Sequence, residues 1–207
     1  MYIPEFNRVE DHTAIRAFLT ANPFAILVSS NDGVPFATHL PVLTKTADET
    51  LIIVGHVAKS NPHWKSLQAN REALVIFHGA HAYISPTLYE GRENVPTWNY
   101  AAVHVYGTAS VFAEESKLAR VLEEMIHTFE PSYMAQWTEM SGKYRERLLS
   151  HIVGFELQAT RIEAKFKLSQ NRTKGEQVRV MESLKQSNDT VISETGKMMQ
   201  QIQDARK

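Results

Sequence analysis

Hydrophobic positions follow two different rhythms along this chain. Between residues 24 and 112 they fall in short runs or on every second residue, and from 114 to 131 they recur every three to four residues. Alternation returns at 152–160. A repeat of two marks a strand with one buried face, and a repeat near 3.6 marks an amphipathic helix. Before the first run, residues 11–21 set Ile15, Phe18 and Leu19 on one helical face, with Asp11 as N-cap and Asn22-Pro23 as stop. FAILVSS at 24–30 reads as a buried strand, Asn31-Asp32-Gly33 as a hairpin turn, and 34–44 as the returning strand. A turn at 47–49 leads to a third strand at 51–57, completing a helix followed by an antiparallel meander.

Further strands are predicted at 73–79 and 81–87, then a polar loop at 88–94 and a long strand at 95–112. The entrance to that long strand, VPTWNYAAVHVYG at 95–107, sets Pro96, Trp98, Asn99, Tyr100 and His104 close together. Trp and Tyr join a large apolar face to a polar tip, and Pro96 with polar Thr97 and Asn99 is unlike a central strand. This entrance is expected to face something outside its own core. The stripe from Leu118 to Phe129 predicts a core-facing helix ending at Pro131, and 142–151 a second helix. Residues 152–160 form the last strand, which 161–172 extends or leaves. Residues 173–207 suggest two short helices divided near 187–189, too sparsely apolar to be stable unless packed on the main domain or a partner. About six mostly antiparallel strands point to a barrel or sandwich over 1–172, mainly β with flanking helices, with a C-terminal helical extension at 173–207.

Composition removes several chemistries. The 207 residues include no Cys, which excludes disulfides, thiolate metal sites and cysteine nucleophiles. The start, MYIPEFNRVEDH, has no signal-peptide pattern, and the longest apolar run, 24–28, is strand length. A cytoplasmic protein is expected. The net charge of −1 is uneven: residues 1–160 carry 12 basic and 17 acidic side chains, residues 161–207 carry 10 and 6. That mild basic excess suits an anion but falls short of a dense nucleic-acid footprint, so DNA contact is without support from the charge pattern. Six of the nine histidines lie between 39 and 104, at spacings that match no compact ligand motif. No metal site is expected.

The segment GHVAKSNPHW, 55–64, is the most informative turn. A strand ends there and a helix begins near Asn61-Pro62, with Asn as cap and Pro in the first turn. Lys59 and Ser60 stand just before that cap, where a cation and a hydroxyl suit a phosphate near free helix N–H groups. Without a glycine-rich cradle, an ordinary strand-to-helix connection explains the same residues.

Several segments carry a resemblance in one order: MYIPEF at the start, ATHLP at 37–41, GHVAKSNPHW at 55–64, AYISP at 82–86, VPTWNYAAVHVYG at 95–107, IVGFEL at 152–157 and KLSQNR at 167–172. Together they resemble the PaiB family of bacterial FMN-binding negative transcriptional regulators, over residues 1–172. Departures are Gly79-Ala80-His81, where the family often has Gly-Pro-His, and Pro86-Thr87-Leu88, where a Ser-Trp pair is common. The resemblance implies a six-stranded antiparallel split β-barrel that dimerises and holds FMN between subunits. It implies a phosphate turn at Lys59, Ser60 and Asn61 with His56 nearby, and flavin-edge contacts from Thr38, His39 and Leu40. Trp98, Asn99 and Tyr100 would come from the other subunit, and Lys167, Gln170 and Arg172 from the C-terminal side. A regulator working through a partner or weak DNA contact is the first functional expectation. A flavin reductase or oxidase moving hydride through the ring is the alternative, and a haem-binding split barrel a weaker one. The catalytic residues of such an enzyme are not legible in the sequence.

Overall fold

A computed structural model describes residues 1–31, 33–69 and 71–204. Asp32 of the expected hairpin turn, Asn70 and the last three residues of the extension fall outside the described residues. The chain forms β1 (Arg8–Val9), α1 (His12–Ala21), β2 (Phe24–Asn31), β3 (Val34–Pro41), β4 (Leu43–Ala47), β5 (Thr50–Ala58), α2 (His63–Ala69) and β6 (Glu72–Ile84). It continues through β7 (Thr97–Phe112), α3 (Glu115–Phe129), α4 (Met134–Glu139), α5 (Gly142–Leu149), β8 (Ile152–Lys167), α6 (Lys174–Lys185) and α7 (Thr190–Asp204). This is the expected α+β class, an antiparallel sheet with C-terminal helices. Two compact units divide it. One comprises Met1–Phe18, His78–Val103 and Glu163–Lys207, the other Leu19–Phe77 and His104–Ile162.

The second unit contains the strand order β3-β2-β6-β7-β8-β5-β4. β2 and β3 form an antiparallel hairpin in register from Phe24↔Pro41 to Asn31↔Val34, with Gly33 at φ +79° after the turn. β5 pairs antiparallel with β8 from Ile52↔Gln158 to Ala58↔Ile152. Beside that ladder Leu43, Val54, Phe112, Leu118, Val121, Met125 and Leu149 pack into one cluster. Leu118, Val121 and Met125 of the α3 stripe are therefore buried as its spacing predicts, Leu122 and Ile126 are partly buried, and Phe129 at its end is exposed. Gly154 lies against the Phe112 ring and Gly55 against Phe155, so each glycine leaves room for an aromatic core residue.

In the first unit, the remainder of β6, β7 and β8 is joined by β1, which pairs Arg8↔Lys165 and Val9↔Ala164. Here α6 and α7 form the predicted helix pair. Thr173 and Glu176 make a reciprocal capping box at the start of α6. Gly196 of α7 lies so close to the backbone of Lys185 that a side chain there would collide with it. Buried Val180, Met181, Leu184 and Met199 supply the apolar faces that the extension needs. Among the described residues no helix is long and apolar enough to cross a membrane.

Gly107 tests how tightly β7 and β8 approach. A Cβ there would overlap the Gln158 carbonyl, which cannot swing aside as a side-chain tip can. Gly107→Ala is expected to lower stability by about 1–3 kcal/mol or more in urea unfolding. An unchanged midpoint would show that the strands are not pressed together there.

Candidate functional site

On β3, alternation puts Phe36, Thr38 and Leu40 on one face and His39 on the other. Thr38 Oγ1 lies 2.8 Å from His63 Nδ1 and accepts from Asn61 Nδ2 at 3.1 Å. Asn61 Oδ1 accepts from the His63 backbone N–H at 3.0 Å, so the amide is oriented by both of its ends. Asn61 thus caps α2 as expected. The Thr38 hydroxyl has room for the Asn61 amide and the His63 ring at once, and the ring's tautomer sets which of Thr38 Oγ1 and His63 Nδ1 donates. His63 is fully buried, its Nε2 has no hydrogen-bond partner, and Phe36 meets its ring edge-on at 5.0 Å. Burial lowers its pKa from 6.5 to about 4.

Around this lock the other predicted residues occupy separate positions. Lys59 and Ser60 are exposed, and the Lys59 carbonyl accepts from Trp64 Nε1 at 3.0 Å while its N–H donates to the His151 carbonyl at 2.7 Å. The turn is thereby tied at both peptide groups while its ammonium and hydroxyl face solvent. His39 is exposed near Phe24, and Leu40 is buried opposite Ala25. His56, on β5 opposite Gly154, is mostly buried; its Nδ1 is unpartnered and burial lowers its pKa.

The first unit holds the second group. Trp98 is 52% exposed, Tyr100 is half-buried, and both line a cavity of about 280 Å³ with His78, Gly79, His81 and Ala101. Tyr83 meets Trp98 edge-on at 6.0 Å, and His81 lies 6.0 Å from the same indole. Asn99, between these rings in sequence, points the other way and is fully buried. Its Nδ2 donates to Ser169 Oγ at 3.0 Å and to Met199 Sδ at 3.5 Å, and its Oδ1 lies 3.2 Å from Ser169 Oγ. Gln170 closes its own turn, donating to the Phe166 carbonyl and accepting from Leu168 N–H. Arg172 donates to Asn94 Oδ1 at 2.8 Å and stacks 3.7 Å over Tyr89. Lys167 Nζ donates to Thr97 Oγ1 and to the Trp98 carbonyl.

Thr38 and Asn61 are thus brought together in one unit, and Trp98, Tyr100 and Lys167 in the other. His63, His78, His81 and Lys165 were not among the residues singled out from sequence. Spacing held one usable signal: Lys165 and Lys167 lie two apart on a strand and share a face.

Comparison with known proteins gives this arrangement a family. Residues 1–161 match the model described as "Putative FMN-binding domain". The "Protease synthase and sporulation protein PAI 2" of Bacillus subtilis is 39% identical over 97% of both chains. The chain belongs to the PaiB family. An uncharacterized protein of Emericella nidulans is 28% identical, covering 85% of this chain and 87% of its own length. Solved structures at lower identity share the fold of this PaiB-family chain. The flavocytochrome Anf3 of Azotobacter vinelandii aligns with TM-score 0.62 at 17% identity, over 80% of this chain and 72% of its own. An FAD and haem binding protein of Mycobacterium smegmatis aligns with TM-score 0.59 at 16%, over 83% and 78%. The expected split-barrel class is the fold these neighbours share.

A buried neutral histidine has a pH signature. The unfolded chain protonates His63 near pH 6.5, while the folded chain resists until about pH 4. Stability is therefore full above pH 6.5 and falls as pH drops towards 4, by up to about 3 kcal/mol. His63→Gln should flatten most of that fall in denaturant titrations from pH 7 to 4, leaving the share of His56. An unaltered slope would show that His63 does not stay neutral in the fold.

Proposed function

We propose that this PaiB-family chain is an FMN-binding regulator whose flavin site is completed by dimerisation. The observation that carries the reading is the half-exposed Trp98 indole, set on a strand beside a cavity of small-ligand size. A rigid, exposed aromatic face is what a flat heteroaromatic ring stacks against. The family description supports a flavin as that ring.

The residues fit the group. Its phosphate, of about −2 charge, needs cations and hydroxyls, and Lys59 and Ser60 offer both at an exposed turn. In this reading Thr38, His39, Leu40, His56, Lys59, Ser60 and Asn61 hold the cofactor in one protomer. Trp98 and Tyr100 of the partner subunit close over it. Asn99 and Gln170 fix the backbone that carries the aromatic wall, while Lys167 and Arg172 keep positive charge near it. FMN, when bound, supplies redox chemistry, and the protein reads the bound state out through a partner protein or a weak DNA contact. The name of the Bacillus subtilis relative supports control over synthesis and sporulation rather than metabolic turnover. A second reading, haem binding, is favoured by one observation: the His78 and His81 rings stand 6.1 Å apart at the same cavity. A Soret band on haemin titration, absent in the double His→Ala variant, would identify it.

Flavin fluorescence quenching and sedimentation test the main reading together. One FMN per protomer of a dimer is expected, with Lys59→Ala and Trp98→Ala each about tenfold weaker. Mixed dimers of these two variants should recover half of the sites at native affinity, because one of their two clefts keeps both residues. Recovery of none would place the residues in one protomer, and an unchanged Lys59→Ala titration would discard the phosphate turn. Sustained NAD(P)H oxidation with added FMN would overturn the regulator in favour of an enzyme.

A further inference from the structure

Lys165 and Lys167 project from the same face of β8. Lys165 is 8% exposed and Lys167 partly buried. Lys165 Nζ donates to the Tyr2 carbonyl at 3.1 Å and stands 5.3 Å from the Tyr100 ring centre and 5.7 Å from that of Tyr2. Lys167 Nζ reaches the Thr97 hydroxyl and, at 2.6 Å, the Trp98 carbonyl. Every one of these acceptors is neutral. Among the described residues neither ammonium forms an ion pair.

That arrangement is costly. Desolvating an ammonium costs several kcal/mol, and buried charges are ordinarily paired for that reason. In these contacts the two cations meet dipoles and ring faces, and each repels the other. Burial first, and then Lys165, lowers the pKa of Lys167. Both cations touch the aromatic wall: one lies over Tyr100, the other holds the carbonyl of Trp98, and those two residues line the cavity. An anion brought to this place would offset the repulsion and restore the missing partner.

We propose that Lys165 and Lys167 form an anion site that takes a phosphate-class group beside the cavity walled by Trp98 and Tyr100. The group has two sources. It is the phosphate of FMN, in which case the site rests on the flavin reading and adds to the Lys59 turn, or it belongs to a separate small ligand.

The test compares wild type with Lys165→Met and Lys167→Met, which keep a long unbranched side chain and remove the charge. Inorganic phosphate, added at constant ionic strength against chloride, should raise the melting temperature of the wild type and of neither Met variant. FMN and riboflavin are titrated in parallel by calorimetry. A loss of tenfold or more in FMN affinity in both variants, with riboflavin unaffected, assigns the anion to the flavin phosphate. Phosphate binding lost in both variants with FMN affinity unchanged assigns it to a separate ligand. Should the Met variants not fold, Lys167→Arg must keep phosphate binding and Lys167→Gln lose it. The proposal is overturned if neither phosphate nor FMN distinguishes the charged proteins from the neutral ones. A chain that took no FMN would end the flavin reading, while the phosphate arm would still decide this one.

Discussion

The aromatic wall of β7 exists because the residue between its two rings has somewhere to go. Strand alternation sends Trp98 and Tyr100 to one face and Asn99 to the other. On that other face Asn99 is fully buried, where an unanswered carboxamide would cost about 1–3 kcal/mol. Ser169 lies within hydrogen-bonding distance of both ends of the amide, and the Met199 sulfur takes a further share of the NH₂ group. Ser169 can do so because it adopts a left-handed conformation, φ 63°, just past the end of β8, in a turn that Gln170 closes. The placement of the exposed indole thus depends on a turn seventy residues later in the chain.

The second unit meets a related problem with a titratable group. His63 is as deeply buried as Asn99, and burial makes it a neutral base that leans on a threonine hydroxyl. Thr38, Asn61 and His63 fasten the 59–63 turn to β3, leaving the Lys59 ammonium free of the fastening. The lysines of β8 follow the other course: they are drawn inward onto neutral acceptors and, among the described residues, form no ion pair. One unit therefore excludes charge from its buried polar cluster, and the other concentrates it.

Much of the fold was legible because it rests on short-range patterns. The periods of 24–30, 51–57 and 118–129 appear as β2, β5 and α3, and Asp11 caps α1 by accepting from Thr13 N–H. Where a pattern was interrupted, the reading divided or joined elements wrongly. Gly79 suggested two strands where β6 runs unbroken, and residues 34–44 hide a break at Val42 between β3 and β4. The candidate site was harder. His63 and Thr38 are 25 positions apart, and no local period links a histidine after Pro62 to a threonine on an earlier strand. The resemblance singles out Lys167 and Arg172, but the alternation fades after 160, so the sequence alone does not show that β8 extends to 167 and carries Lys167. Asn99 was chosen for the company of its aromatic neighbours, yet its own side chain turns inward.

The clasp on Asn99 also orders events in time. During synthesis, Trp98, Asn99 and Tyr100 leave the ribosome some seventy residues before Ser169 and a hundred before Met199. Until Ser169 has been made, the amide of Asn99 lacks both partners and β7 has no reason to prefer the face it finally presents; Met199 joins only with α7. Contacts this distant in sequence form late, after the loop-closure entropy has been met. The half of β7 in the second unit belongs to a compact unit whose last residue is 162. A single strand is thus completed in two stages, and the indole is the part of it set last.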